Sequence, residues 1–338
     1  MKKIILLSAL LFITSCSHKK NISETLLNKF DLHVISGSFS GPAINLEENH
    51  LKEILVLLHN NFPPEEIKEY FNLSDSTYNL YINDLFGEGL IKKNEEGNFV
   101  PTCMVIDLDN GIQLKKTADS LGHEMSLIAI DRLAKIEEAY RKIPAFKNIP
   151  FEDASLFILG NVIHNYWQMQ EIEEKYLKAE PPYRGLNRYY SAILENPGNS
   201  KNKSLEIFTN KFQSIENYIA GCYGIELAKT DSIVTRAELK GIPKKQTPGV
   251  PLIGIEDSKK LMSLAQIISP DLLNYLEKNR TLFVKLYLNS VYKDQTTFRE
   301  WFVWYYQFII TQVNNTLMEK GYIHKSSLLD NRFILVKE

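Results

Sequence analysis

The chain has 338 residues, with 39 Lys plus Arg against 41 Asp plus Glu, a net charge of −2 and 44% apolar residues. That apolar fraction excludes a disordered chain, and the near-neutral balance gives no electrostatic footprint for nucleic acid or an anionic surface. Three cysteines are too few to frame a chain of this length with disulfides.

The chain opens with Lys2 and Lys3, a short apolar run from Ile4 to Ile13, and then Ile13-Thr14-Ser15-Cys16. A basic start, an apolar core of roughly 7–15 residues and a small-residue cleavage site make a secretory signal. The core is well short of the roughly 20 apolar residues that span a bilayer. With a thiol directly after the small residues, the stretch resembles a bacterial lipoprotein signal peptide with its lipobox. The resemblance implies that residues 1–15 are removed and that Cys16 leads the mature chain, carrying a diacylglyceryl group and often an acylated amine. Each buried CH₂ of such an anchor contributes about 0.8 kcal/mol, and two or more chains hold stably. Ser17-His18-Lys19-Lys20 brings neither an Asp beside the anchor nor an acidic run. The resemblance therefore implies the bacterial cell envelope, as an outer-membrane lipoprotein facing the periplasm, with surface exposure left open. In that compartment Cys103 and Cys222 are either bridged or two buried thiols.

Residues 16–45 read as a lipid-anchored tether. Ser36-Gly37-Ser38-Phe39-Ser40-Gly41-Pro42 is turn-rich; it misses a serine-hydrolase elbow because Phe39 stands where the nucleophile belongs. Leu51, Ile54, Leu55 and Leu58 then recur at helical spacing. Phe62-Pro63-Pro64 ends that helix, and Pro64 opens the next, Glu65 to Phe71. Ser74 or Asp75 caps a third, whose Tyr78, Tyr81, Ile82 and Leu85 share a face. Gly87 and Gly89 stop it, and Leu90-Ile91, a turn at Asn94 to Asn98, and Phe99 to Ile106 form a hairpin. Three helices and a hairpin over 46–106 resemble a winged helix-turn-helix domain, and we take 46–110 as that domain. Between Leu46 and Ile106 stand eleven acidic residues, four lysines and no arginine. Phosphate neutralisation needs the opposite balance, so no nucleic-acid partner is expected.

Residues 118–338 read as a larger helical domain. Ser120 to Ile143 and Phe151 to Leu177 are amphipathic helices, and Tyr189 to Glu195 and Leu205 to Thr209 are strands about the Asn196-Pro197-Gly198-Asn199 turn, a central hairpin. The glycines and prolines of 240–254 make a loop or linker. Asp257 to Ile268 is helical, Pro270 opens a helix to about Tyr292, and Phe298 to Lys320 is a helix apolar nearly all round, which predicts burial. Leu317-Met318-Glu319-Lys320-Gly321-Tyr322-Ile323 repeats the spacing of Leu85-Phe86-Gly87-Glu88-Gly89-Leu90-Ile91, with a strand after it, so a C-terminal helix and hairpin is expected. Either the unit is duplicated or both helices share the common habit of ending at glycine.

Chemistry is sparse. Phosphate-loop, His-Glu-x-x-His and Gly-x-Ser-x-Gly motifs are missing, and the single Glu47 to His50 motif lacks the facing partner of a dimetal site. Asp119, His123 and Glu124 with His164 and Glu171 make the best metal grouping. Asp119 also reads as a helix cap and Glu124 as its first-turn charge, so neither metal nor cofactor is expected. The loop from Pro181 to Tyr190 gathers Tyr183, Arg184, Arg188 and Tyr189, residue types enriched in binding hot spots, and these four are the candidate ligand contacts. The expectation is a mostly α (α+β) protein, lipid-anchored at Cys16, acting without catalysis on another envelope protein, peptide or glycan. The alternative is an envelope hydrolase or other enzyme with an unfamiliar site.

Overall fold

The computed structural model describes residues 21–36, 41–196, 233–235, 252–253, 255–324 and 334–337. Cys16, Cys222 and the strand expected at 205–209 lie outside them. The fold is mostly helical with a few small sheets, a mostly-α α+β architecture. No helix among the described residues is long and apolar enough to cross a membrane.

The chain is already structured within the stretch expected to be a tether. Helix α1 (Ile22–Thr25) is closed by a capping box between Asn21 and Glu24. Strand β1 (Lys29–Ile35) comes next, its seven residues burying Phe30, which lies between Lys29 and Asp31, and His33. Its alternation is short and interrupted by Lys29, Asp31 and His33, so composition alone reads as a linker.

Helices α2 (Leu51–His59), α3 (Pro64–Phe71) and α4 (Asp75–Gly87) and strands β2 (Ile91–Lys93) and β3 (Phe99–Pro101) fall where the apolar spacing places them. Pro64 fills the first turn of α3, and the Ser74 hydroxyl accepts from the Thr77 amide to cap α4. Gly89, at φ +75°, ends α4 with the Leu90 amide donating to the Leu85 carbonyl. Gly321, at φ +76°, ends the last helix in the same way, with Tyr322 donating to Leu317. A shared capping geometry thus accounts for the recurring Leu-Gly-Ile spacing. Among the described residues the strands that follow the two glycines differ. β10 (Ile334–Lys337) pairs in parallel with β8 (Ile233–Thr235) and β9 (Leu252–Ile253), one on each edge, and is not one arm of a hairpin.

Strand β4 (Met104–Ile106) leads into α5 (Leu108–Tyr140), a 33-residue helix that starts well before Ser120. Asp107 caps it, accepting from the Asn110 amide at 2.7 Å. Asp119, expected as the cap, instead lies within the helix and pairs with Lys115 at 2.6 Å. The helical segments over 151–177 run on from one another as α6, with wide π-type turns at Leu156–Tyr166 and Ile172–Leu177. Then come α7 (Ile255–Lys278), α8 (Arg280–Leu288) and α9 (Phe298–Glu319). Pro270 lies inside α7 and does not divide it, because Leu264 and Ile268 before it and Leu272 and Leu276 after it keep one buried stripe. α9 is encased, as its all-round apolar character predicts: Glu300 to Thr311 is buried without a break.

Strands β1, β7 (Tyr190–Asn196) and β4 form one sheet in that order, β1 antiparallel and β4 parallel to β7. Along 192–194 both edges of β7 are taken, which leaves no edge there for the partner expected at 205–209. Alternate residues point to opposite faces. Met104, Ile106, Tyr190, Ala192 and Leu194 join the large core of α5, α6, α7 and α9. Phe30, Cys103, Val105 and Ile193 join a second core with α2, α3 and α4. The sheet is therefore a wall between two cores and belongs to both.

Candidate functional site

The Pro181 to Tyr190 segment is a hairpin. Strands β5 (Tyr183–Arg184) and β6 (Asn187–Arg188) pair Tyr183 with Arg188 and Arg184 with Asn187. Gly185, at φ +54°, takes the first central position of the two-residue turn, where a primed turn requires positive φ. A Cβ on Gly185 would also collide with the Glu88 carboxylate. The period of two then sorts the four candidate ligand contacts. Tyr183 and Arg188 face outward, with the guanidinium 4.3 Å from the centre of the phenol ring. Arg184 and Asn187 face inward, and Tyr189 goes with them into the interior.

Arg184 is the centre of the inward set. Its side chain is 3% exposed and lies 3.1 Å from Glu300, itself 2% exposed. Nη1 donates to the Gly89 carbonyl at 2.9 Å and to the Thr102 hydroxyl; Nη2 donates to the Thr102 carbonyl at 3.2 Å, and Nε to the Tyr189 carbonyl at 3.3 Å. Glu300 accepts from the Ser191 amide at 2.7 Å and from the Trp304 indole at 3.4 Å. Tyr189 donates its hydroxyl to buried Glu88 at 2.6 Å, and Glu88 also accepts from the Ala43 amide. One arginine thus ties the end of α4, the β3–β4 link, the hairpin, β7 and α9 together.

Burial pushes the Glu300 carboxyl up, against the opposing pull of Arg184 and the Ser191 amide. Burial works to lower the Arg184 guanidinium, but the charge of Glu300 overrides it and holds the group above its ordinary value. Cys103 is a buried free thiol beside this pair, and burial pushes it up to about 12. A thiol so protonated is inert as a nucleophile. Every nitrogen of Arg184 is already engaged, so this cluster binds the protein to itself and leaves no donor for a substrate.

Beside it, burial pushes the Glu173 carboxyl up to about 7, with the nearby Tyr190 hydroxyl and the charge of Arg299 opposing. Of the weak metal grouping, Asp119 pairs with Lys115, Glu171 accepts from Ser269 at 2.9 Å, and His164 is interior. Among the described residues no group of three or more His, Cys, Asp or Glu could hold a metal ion.

Sequence reasoning missed Glu300. Thr297-Phe298-Arg299-Glu300 has the spacing of a capping box, and the Thr297 hydroxyl does accept from the Glu300 amide at 3.2 Å. The carboxylate that would return to the cap goes to Ser191 and Arg184 instead. Only a glutamate facing into an otherwise apolar helix marks the position beforehand. No family model, curated protein or solved structure matches the chain.

Proposed function

We propose that this is a lipid-anchored envelope protein, held by acyl chains on Cys16, whose β5–β6 hairpin docks another envelope protein without catalysis. The observation that carries the reading is the division of labour within the hairpin. Arg184 and Tyr189 fasten it from below, while Tyr183, Leu186 and Arg188 stand at 66%, 87% and 44% exposure. An apolar and aromatic tip on a fastened base loses little conformational freedom when it binds, which favours affinity. Tyr and Arg are also the types that dominate binding energy at protein interfaces. The winged-helix-like arrangement at 46–110 then serves as scaffold, since a fold does not dictate its use.

The test is a photo-crosslinking residue in place of Leu186 in native cells, with a second chain carrying it at exposed Leu127 on α5. Capture of one partner from position 186 alone is expected, and that capture should disappear in an Arg188→Glu background of unchanged Tm. Equal capture from both positions, or none from 186, overturns the docking reading. Cys16→Ala should move the chain out of the membrane fraction; retention of the unlipidated variant overturns the anchor.

A second reading has one residue in its favour. A carboxyl titrating near neutrality suits a general acid or base, and Glu173 is such a group. An enzyme built here would lose turnover in Glu173→Gln while keeping its fold.

A further inference from the structure

Between Glu277 and Asp294 the chain carries Lys278, Arg280, Lys285 and Lys293 and no acidic residue, in a protein whose total charge is negative. Helix α8 and the turn after it occupy this stretch. The helix buries Phe283 and leaves Thr281, Leu282, Val284, Lys285 and Leu288 exposed. Val284 and Leu288 are one turn apart and share a face. Leu288 is 54% exposed, and Val291, in the turn that follows, is 52% exposed. Arg280 is engaged, with Nη2 donating to the Tyr176 carbonyl at 2.9 Å and Glu277 alongside. Lys278, Lys285 and Lys293 are exposed. An exposed aliphatic surface with a polar rim marks an interaction site, and here the rim is cationic.

This surface is tied to the same junction as the start of the described chain. Tyr292, in the turn after α8, donates to the Val105 carbonyl of β4 at 3.0 Å. Asn28, at the entry to β1, donates to Glu195 at 2.6 Å, and Glu195 accepts from the Leu108 amide at 2.7 Å. Both segments are thus fastened to residues 105–108, where β4 passes into α5. Leu27, directly before Asn28, is a further exposed aliphatic side chain. Five residues lead from Cys16 to Asn21, a reach of roughly 18 Å at full extension. Acyl chains on Cys16 would hold this end of the molecule against the bilayer, and Lys19 and Lys20 add charge of the same sign. α8 is not long and apolar enough to cross a membrane, so its contact with a bilayer is peripheral. Helices that present aliphatic side chains and lysines together lie in the lipid–water interface, and anionic headgroups attract basic segments next to an anchor.

We propose that Leu282, Val284, Lys285, Leu288, Val291 and Lys293 form a membrane-contact surface, seated on the anionic phospholipids of the leaflet that holds the anchor. The aliphatic side chains enter the interface and the lysines meet headgroup phosphates. The proposal rests on the lipid-anchor reading of Cys16 and is independent of the hairpin and its docking role.

The experiment reconstitutes the protein purified from native membranes into protein-free vesicles of phosphatidylcholine and phosphatidylglycerol in equal parts. An environment-sensitive fluorescent residue replaces Leu288, or exposed Leu80 on α4 as the control. Flotation with the vesicles reads the anchor, and quenching by headgroup-level nitroxide lipids reads the contact. Flotation is expected together with a blue shift and quenching at position 288 and neither at position 80. Lys285→Glu with Lys293→Glu, at unchanged Tm, should remove most of the quenching at 288 while flotation persists through the acyl chains. Flotation with no change at 288 overturns the membrane contact, leaves the anchor standing and assigns the surface to a protein partner. Equal quenching at 288 in vesicles of phosphatidylcholine alone overturns the recognition of anionic lipid. Failure to float overturns the anchor, and the contact with it.

Discussion

Arg184 and Glu300 are bound to each other more than to any function at the surface. Removing one partner of a buried pair strands the other charge, which costs about 3–5 kcal/mol, whereas apolar replacement of both is often close to neutral. Arg184→Met and Glu300→Leu should each lower the stability measured by urea unfolding by about that amount, and the double variant should lose much less than their sum. Additive losses would show that the pair does not act as a unit. Acid sensitivity also belongs to single side chains. Burial pushes His33 and His164 from 6.5 down to about 4, and lowers His59. The folded state therefore resists protonating them, so their stabilisation is complete above about pH 6.5 and is lost as pH falls toward 4. Glu173, raised from 4.5 to about 7, opposes this: its contribution is present at low pH and lost as pH rises through that interval. Glu300, also pushed up by burial, opposes in the same sense; the three histidines still outnumber the two carboxyls, so stability should fall between pH 6.5 and 4. His164→Gln should reduce that slope by up to about 1.4 kcal/mol per pH unit. An unchanged slope would mean that His164 protonates freely in the folded protein.

The contact between α5 and α9 rests on a glycine. A Cβ at Gly122 would lie 2.6 Å from the Gln312 Cβ and 2.7 Å from the Ile309 carbonyl, and neither is the loose end of a side chain. Gly122→Ala should cost about 1–3 kcal/mol as the helices are forced apart. Gly87, at the end of α4, has nothing within 4 Å of such a Cβ. Gly87→Ala should be neutral or stabilise by up to about 1 kcal/mol. Thermal melts of the two variants give the comparison, and a loss of similar size at both would refute the close-approach argument. The same elements show how far sequence reasoning reaches. Helices α2, α3, α4 and α9 are legible because their apolar spacing is strong and their ends carry Pro, Ser or Gly. The start of α5 is hidden because Asp107 and Asp119 both look like caps, and only tertiary contact decides between them. Pro270 misleads because burial on both sides outweighs one missing amide. The hairpin's residues can be singled out from composition, but not their division into inward and outward pairs, which depends on a register that Gly185 sets. Glu300 is legible only as a glutamate in an otherwise apolar helix, since a local capping pattern conceals its long-range ion pair.

The two cores cannot be separated by cutting the chain at the boundaries that composition suggests. The second core includes Phe30 from β1 and Ile193 from β7, both outside 46–110. His59 on α2 also holds Gln295 at 2.6 Å, and Tyr292 donates to the Val105 carbonyl at 3.0 Å. A fragment of residues 46–110 should therefore show little helical circular dichroism and no cooperative melt, while the whole chain unfolds in one transition. A folded fragment, or two separate transitions in the whole chain, would contradict a shared wall.

β7 imposes a constraint of its own on how such a chain can diverge. Its successive side chains serve opposite cores, Ala192 and Leu194 on one face and Ile193 on the other. Deleting a single residue ahead of Ala192 would invert that allegiance along the rest of the ribbon and misdeliver both sets of contacts in one stroke. Loops elsewhere can gain or lose length over generations, but descendants of this protein must conserve the parity of this strand.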